Sequence, residues 1–281
     1  MGVRAVVMER PGKLAVKQFP YPKVTQGAML VRITLSGICG TDKHSFQGFI
    51  DQYSGHAQPK RIPFPIIPGH ENVAVIVEMP TPWRDFEGQP LAVGDRVVVA
   101  ANVSCGQCYY CRQGFPYYFC ENTTDYGNNL SAAEPPHLFG GWAEYLYVLP
   151  GSCVYKVPPG LPDHHAVMGE LMAVTASLDR AKQFSTVGND GFRFSDTVLV
   201  QGVAAVGICH VIKAQMLGAG QILATDLSNC RLQLAKEFGA TLCLNVAETT
   251  LEERRERIAE MTHGRGPDVV VECAGVPEAV V

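Results

Sequence analysis

No stretch of this 281-residue chain holds the roughly 20 consecutive apolar residues that a membrane-spanning helix requires. No basic region followed by a short apolar run opens it, so no export signal is read either. Basic residues are not in excess: 23 Lys and Arg stand against 27 Asp and Glu, for a net charge of -4. That balance argues against broad nucleic-acid affinity, which needs a basic face. There are no internal repeats and no low-complexity segments. Charged residues make up 18% and hydrophobic ones 47%, as in an ordinary soluble globular protein. The length allows two domains with separate cores.

Cysteine, by contrast, is plentiful and concentrated. Of ten in the chain, Cys105, Cys108, Cys111 and Cys120 fall within CGQCYYCRQGFPYYFC. Zinc binds thiolates at about 2.3 Å in a tetrahedron, and Cys-x-x-Cys turns bring two sulfurs to one point without strain. Four such ligands close the sphere and leave no position for water. A pair of disulfides would suit a secreted chain, and a redox dithiol would not need four sulfurs. The pattern predicts a structural zinc in a reducing, cytoplasmic setting. A closed site holds a lobe in shape, so the chemistry is expected elsewhere.

Short strands are predicted over 4–8, 14–19 and 28–37, where apolar runs lie between Pro and Gly. They lead into CGTDKH at 39–44. Thirty-one residues past Cys39, PGHENVAVIVE (68–78) sets His70 and Glu71 in a turn before another strand. A lone cysteine is usually a small core residue, and a lone histidine a surface or hydrogen-bonded one. Together, beside further polar groups and a zinc cluster, they read as a second metal site. Catalytic zinc keeps three protein ligands and one open position, which Cys39, His70 and one carboxylate would supply. Further strands are predicted within 89–100 and over 140–148.

From Asp163 the texture changes. Residues 164–184 carry apolar groups at helical spacing with no proline, which predicts one helix. By pattern alone its Glu170 is a solvated helix-face residue. Residues 196–240 then give strand, turn, helix, strand and helix, with the apolar strands of a parallel sheet buried on both faces. Gly202 and Gly207 follow the first strand and Asp226 ends the second. This is the layout of a dinucleotide site: a glycine turn admits phosphate to a helix N-terminus, and the carboxylate takes the ribose hydroxyls. Two more strands, 240–245 and 268–275, flank the charged helix 251–261.

GICGTD (37–42), PGHE (68–71), the cysteine lobe, GGWAEY (140–145) and this βαβ unit together resemble the zinc-dependent medium-chain alcohol and polyol dehydrogenases over essentially the whole chain. The resemblance implies a GroES-like β-rich catalytic domain over 1–165, then a Rossmann doubly wound parallel sheet over 166–281. It implies two zinc ions and NAD, with NADP less favoured. Cys39, His70 and Glu71 would face the catalytic zinc, and Glu170 rises to a ligand or a holder of water. Asp42 would orient His70, while Thr41 and His44 match the proton relay. Cofactor contacts would fall at Gly202, Ala205, Val206, Gly207, Asp226, Arg231 and Ala274. The implied substrate is a small-molecule alcohol, namely a secondary alcohol, a polyol or a hydroxy amino acid.

Three departures from the family pattern stand out. Ala204 replaces a glycine of the phosphate turn. Residues 43–62 and 183–195 are longer than typical. The sheet stops after four strands, so a C-terminally incomplete Rossmann domain is expected, with DVVVEC at an edge. A homo-oligomer is expected if the full-length chain is longer. Two rival readings remain: a zinc-free quinone or enone reductase, against which the cysteines speak, and a non-catalytic zinc and nucleotide-binding protein or inactive fragment.

Overall fold

The computed structural model describes residues 2–49, 51–52, 60–184 and 191–280. Parts of the two long stretches, residues 50, 53–59 and 185–190, lie outside the described residues, as does Val281. The chain divides into two compact units, Met1–Glu170 and Leu171–Val281. Among the described residues no helix is long and apolar enough to cross a membrane.

The first unit is built from short strands. β1 (Gly2–Arg10) and β2 (Lys13–Pro20) form an antiparallel hairpin. β3 (Met29–Ser36) leads to α1 (Gly40–Gln47), then the two-residue pair β4 (Asp51–Gln52) and β5 (Lys60–Arg61), β6 (Asn72–Glu78) and β7 (Arg96–Val99). A second short pair, β8 (Asn102–Val103) and β9 (Thr124–Asp125), brackets α2 (Tyr109–Arg112); β10 (Tyr145–Val148) and β11 (Val154–Lys156) follow. Five of these make an antiparallel sheet in the order β10-β3-β6-β7-β11. Leu30 and Val31 of β3, Ala74 and Ile76 of β6, and Leu146 of β10 are fully buried in one core.

Two loops around this sheet are pinned by glycine. The strand expected over 140–148 begins only at Tyr145. Gly140 and Gly141 instead lie against the 67–69 backbone, and the Gly141 N–H donates to Gly69 O at 2.7 Å. A Cβ at Gly140 would overlap Ile67 O, so glycine lets the two loops touch. The single helix expected over 164–184 is instead three pieces, α3 (Asp163–Ala166), α4 (Gly169–Val174) and α5 (Ala176–Phe184). Tight turns interrupt it: Met168 N–H donates to His165 O, and Thr175 N–H and hydroxyl both donate to Met172 O. Glycine is a poor helix residue, and a threonine hydroxyl competes for helix carbonyls. Apolar spacing alone does not register either effect.

The second unit alternates β12 (Thr197–Gln201), α6 (Ala205–Met216), β13 (Gln221–Asp226), α7 (Asn229–Glu237), β14 (Leu242–Asn245), α8 (Leu251–Met261) and β15 (Val269–Glu272). All pairings are parallel, in the order β14-β13-β12-β15. Counting strands from β12, this is 3-2-1-4, the dinucleotide-fold order. Val198, Val200, Ile222 and Ala224 of the inner strands pack against Val211 and Ala214 of α6. α8 starts at a capping box, Thr250 with Glu253, and has the predicted bounds. β15 lies at the sheet edge, and its Val270 is 52% exposed.

Candidate functional site

Ligand atoms of Cys105, Cys108, Cys111 and Cys120 all lie within 4.8 Å of one another. None of the ten cysteines is in a disulfide. Two turns aim the sulfurs inward: Cys108 N–H donates to Cys105 Sγ at 3.4 Å and Cys105 N–H donates to Cys120 Sγ at 3.3 Å. Backbone N–H groups of Gln107 and Cys108 hold the Cys105 thiol down at about 6. Burial and the neighbouring sulfurs push Cys111 up to about 12. A lobe that stabilises thiolate at Cys105 and Cys108 and resists it at Cys111 suits a dication that ionises all four. Four soft donors fit zinc.

The second cluster is Cys39, His70 and Glu71, whose ligand atoms also lie within 4.8 Å of one another. Cys39 precedes α1, where the Asp42 carboxylate turns back to accept its N–H at 2.8 Å. The other Asp42 oxygen accepts Gly69 N–H at 3.2 Å and stands 3.9 Å from His70 Nδ1. One buried carboxylate thus ties the Cys39 turn to the His70 turn. Gly37, at the end of β3, donates its N–H to Glu71 O at 2.8 Å. A Cβ at Gly37 would overlap Glu71 Oε2, so glycine makes room for that carboxylate.

The charges here are poorly solvated. Burial pushes the carboxyls of Asp42, Glu71 and Glu170 above the ordinary range, against the pull of His70. Burial also works to lower His70, but the Cys39 sulfur and Asp42, with Glu170 behind them, override it and raise it to about 9. Three strained acids and a thiol around one histidine match the need of a bound dication. Glu170 acts on His70 electrostatically but is not among the three residues whose donors converge. Thr41 and His44 are exposed on α1; Thr41 Oγ1 is 3.7 Å from Cys39 Sγ, and the His44 ring packs on Phe49 at 5.6 Å.

In the second unit, a cavity of about 640 Å³ opens at the carboxyl ends of β12 and β13. Gly202, Asp226, Arg231 and Ala274 line it; Ala205, Val206 and Gly207 do not. Gly202 has φ +82°, and a Cβ there would press on Ala274 N at 2.6 Å. Gly207 lies under Gly202 O, where a Cβ would again collide. The Asp226 oxygens accept N–H bonds from Val203 and Ser228, each at 2.9 Å, and Arg231 stands 3.7 Å away. The cradle fits a dinucleotide, with one qualification: the carboxylate is already held by the backbone.

Two family patterns match the chain: the alcohol dehydrogenase GroES-like domain over residues 25–159 and the zinc-binding dehydrogenase over residues 205–281. An L-threonine 3-dehydrogenase from Paraburkholderia xenovorans is 35% identical over 272 residues, covering 97% of this chain and 70% of that protein. The chain belongs to the zinc-dependent medium-chain alcohol dehydrogenase family. A crystal structure of an alcohol dehydrogenase from Thermotoga maritima superposes with a TM-score of 0.88 at 34% identity, covering all of this chain and 73% of that one. Another, described as a zinc-binding dehydrogenase from Sinorhizobium meliloti 1021 bound to NADP, gives 0.80 at 28% identity, covering all of this chain and 72% of that one.

Around the Cys39 cluster this family member uses residues that sequence reading did not single out. Asn128 Nδ2 is 3.5 Å from His70 Nδ1 and donates to Asp125 Oδ2 at 3.1 Å. Trp142 Nε1 donates to Gly37 O at 3.1 Å, and its ring edge closes over Gly69. Trp142 sits in the quoted GGWAEY motif, so it had a signal. Asn128 had none, because only tertiary folding brings it to a histidine 58 positions earlier.

Proposed function

We propose that the chain is a zinc-dependent, NAD-linked dehydrogenase that oxidises a secondary alcohol, a polyol or a hydroxy amino acid. One observation carries this reading: a three-donor Cys39–His70–Glu71 cluster lies apart from a closed four-thiolate set, a division between an open and a saturated metal site. The L-threonine 3-dehydrogenase likeness supports the hydroxy amino acid option.

Cys39, His70 and Glu71 would hold the catalytic zinc, and Cys105, Cys108, Cys111 and Cys120 the structural one. Zinc, when bound, supplies Lewis-acid polarisation of a substrate oxygen, and the nicotinamide supplies the hydride acceptor. Asp42 keeps the His70 ring turned with one nitrogen free for metal. Glu170, drawn toward His70 by charge, serves as an alternative ligand or as a holder of water. The Thr41 hydroxyl, 3.7 Å from the Cys39 sulfur, receives the proton released from the substrate alcohol as it gives its own up towards the exposed His44. Gly202 lets the pyrophosphate approach the start of α6, and Asp226 accepts from the ribose hydroxyls. Its charge disfavours a 2′-phosphate, with Arg231 as a partial offset, so NAD is preferred to NADP.

The test combines metal analysis with NADH absorbance over a panel of secondary alcohols, polyols and L-threonine. Two zinc ions per chain and turnover with NAD on one class are expected. One zinc, or a preference for NADP, counts against the assignment. NAD binding with no turnover on any alcohol supports the non-catalytic reading instead.

A further inference from the structure

Trp142 stands where the two turns of the Cys39 cluster come together. It follows the loop glycines Gly140 and Gly141, and its half-buried side chain packs against the core of the antiparallel sheet. Its indole Nε1–H donates to Gly37 O at 3.1 Å, and Gly37 N–H donates to Glu71 O at 2.8 Å. Gly37 is therefore gripped from both sides, two residues before Cys39. The Trp142 main-chain N–H donates to Pro68 O at 3.0 Å, and the edge of the ring lies on Gly69, where any Cβ would overlap it. One residue thus touches both the approach to Cys39 and the approach to His70. Trp142 is itself anchored, because its carbonyl accepts Val6 N–H from β1 at 2.8 Å.

We propose that Trp142 is a positioning residue for the Cys39 centre, setting the separation between the Cys39 turn and the His70–Glu71 turn. This role rests on the assignment of Cys39, His70 and Glu71 as metal donors. Asp42 already ties the two turns by accepting from Cys39 N–H and Gly69 N–H. Neither of those bonds reaches Gly37, whose lack of a side chain makes room for the Glu71 carboxylate. Without the indole N–H, the Ser36 hydroxyl at 3.5 Å is the remaining donor to Gly37 O among the described residues. A half-buried carbonyl that loses its donor turns towards water, and here it would carry Gly37 away from Glu71. Metal–ligand distances hold to within about 0.2 Å, so a small shift of this wall is felt at the donors. Packing alone does not account for the residue. A phenylalanine would fill most of the same space, but it has no N–H to aim at Gly37 O.

Two measurements on the full chain, with its lobe zinc in place, test this. Hydrogen exchange reads the Gly37 amide, and cobalt(II) titration reads the affinity and d–d spectrum of the Cys39 centre. In Trp142→Phe the Gly37 amide is expected to exchange about tenfold faster, and cobalt to bind about tenfold more weakly with shifted d–d bands. Exchange at Leu146 in β10, lobe zinc and circular dichroism should match the parent, which a general loosening of the core would not allow. The chain's other tryptophan is Trp83. In a Trp83→Phe background, benzothienylalanine at position 142 puts sulfur in place of the N–H at nearly the same shape. It should reproduce both changes, and it decides the matter if Trp142→Phe fails to fold. Unaltered Gly37 exchange overturns the proposal. So does faster exchange with cobalt affinity and spectrum unchanged, since Trp142 would then brace a loop and nothing more. A parent chain that takes no cobalt at Cys39 counts against the metal assignment instead, and Gly37 exchange then decides on its own whether Trp142 holds the turn.

Discussion

The carboxylate of Glu71 has a place to lie because Gly37 has no side chain. Gly37→Ala is expected to push Glu71 off the Cys39–His70 cluster and weaken metal binding there by about 10–100-fold, as loss of an orienting contact does. Competition with a chelator measures it, and the four-cysteine site serves as internal control. Cys39→Ala or His70→Ala goes further: metal content falls from two to one, turnover is lost and the fold persists. Retention of full activity by Cys39→Ala would falsify the assignment of that site. Asp42 couples the two turns by accepting from both Cys39 and Gly69.

Among the elements, the lobe around α2 is too short to bury a core of its own, so metal must hold it. Cys108→Ala leaves three sulfurs and is expected to lose the lobe zinc and lower Tm by about 2–8 °C, the effect of one to two kcal/mol in a unit of this size. Differential scanning calorimetry with metal analysis checks it. α6 carries a different kind of liability. His210 is buried there, its Nδ1–H donating to Val206 O at 2.9 Å and its Nε2 accepting the Ser177 hydroxyl at 3.0 Å. Burial pushes its pKa below the ordinary 6.5. The folded chain therefore keeps His210 neutral at a pH where the unfolded chain binds a proton. This contribution is intact above 6.5 and declines as pH falls below it, by up to about 1.4 kcal/mol per pH unit. Thermal melts at pH 5 and 7.5 should show a shallower acid decline in His210→Gln than in the parent.

At the scale of the whole molecule, each unit has its own core, one around the antiparallel sheet and one around the parallel sheet. Among the described residues, β12 and β13 of the parallel sheet are flanked on both sides, while β15 has a neighbour on one side only. Its Val269–Val271 run has the composition of a doubly buried strand, yet Val270 faces solvent. Amides of β15 are expected to exchange with deuterium about 10²-fold faster than those of β12, because edge strands open at lower cost. Equal protection of β15 and β12 would mean that the edge is covered in solution. The chain spans 70% of the threonine dehydrogenase it matches.

Local physics made much of this protein legible in its residues. Regular thiol spacing predicts a four-sulfur site, because chain geometry over sixteen residues leaves few ways to place them. Apolar runs between glycines predict β12 and β13, while their 3-2-1-4 order follows from the dinucleotide fold the chain resembles, and the cap Thr250 with Glu253 marks where α8 begins. Tertiary structure decided what depends on distant partners. It brings Asn128 beside His70, leaves Glu170 outside the converging donors, occupies both oxygens of Asp226 with backbone N–H groups, and breaks the 164–184 helix in three. Hydrogen-bond partners and desolvation are set by whichever groups the finished fold brings within a few ångströms, and linear spacing carries no record of them.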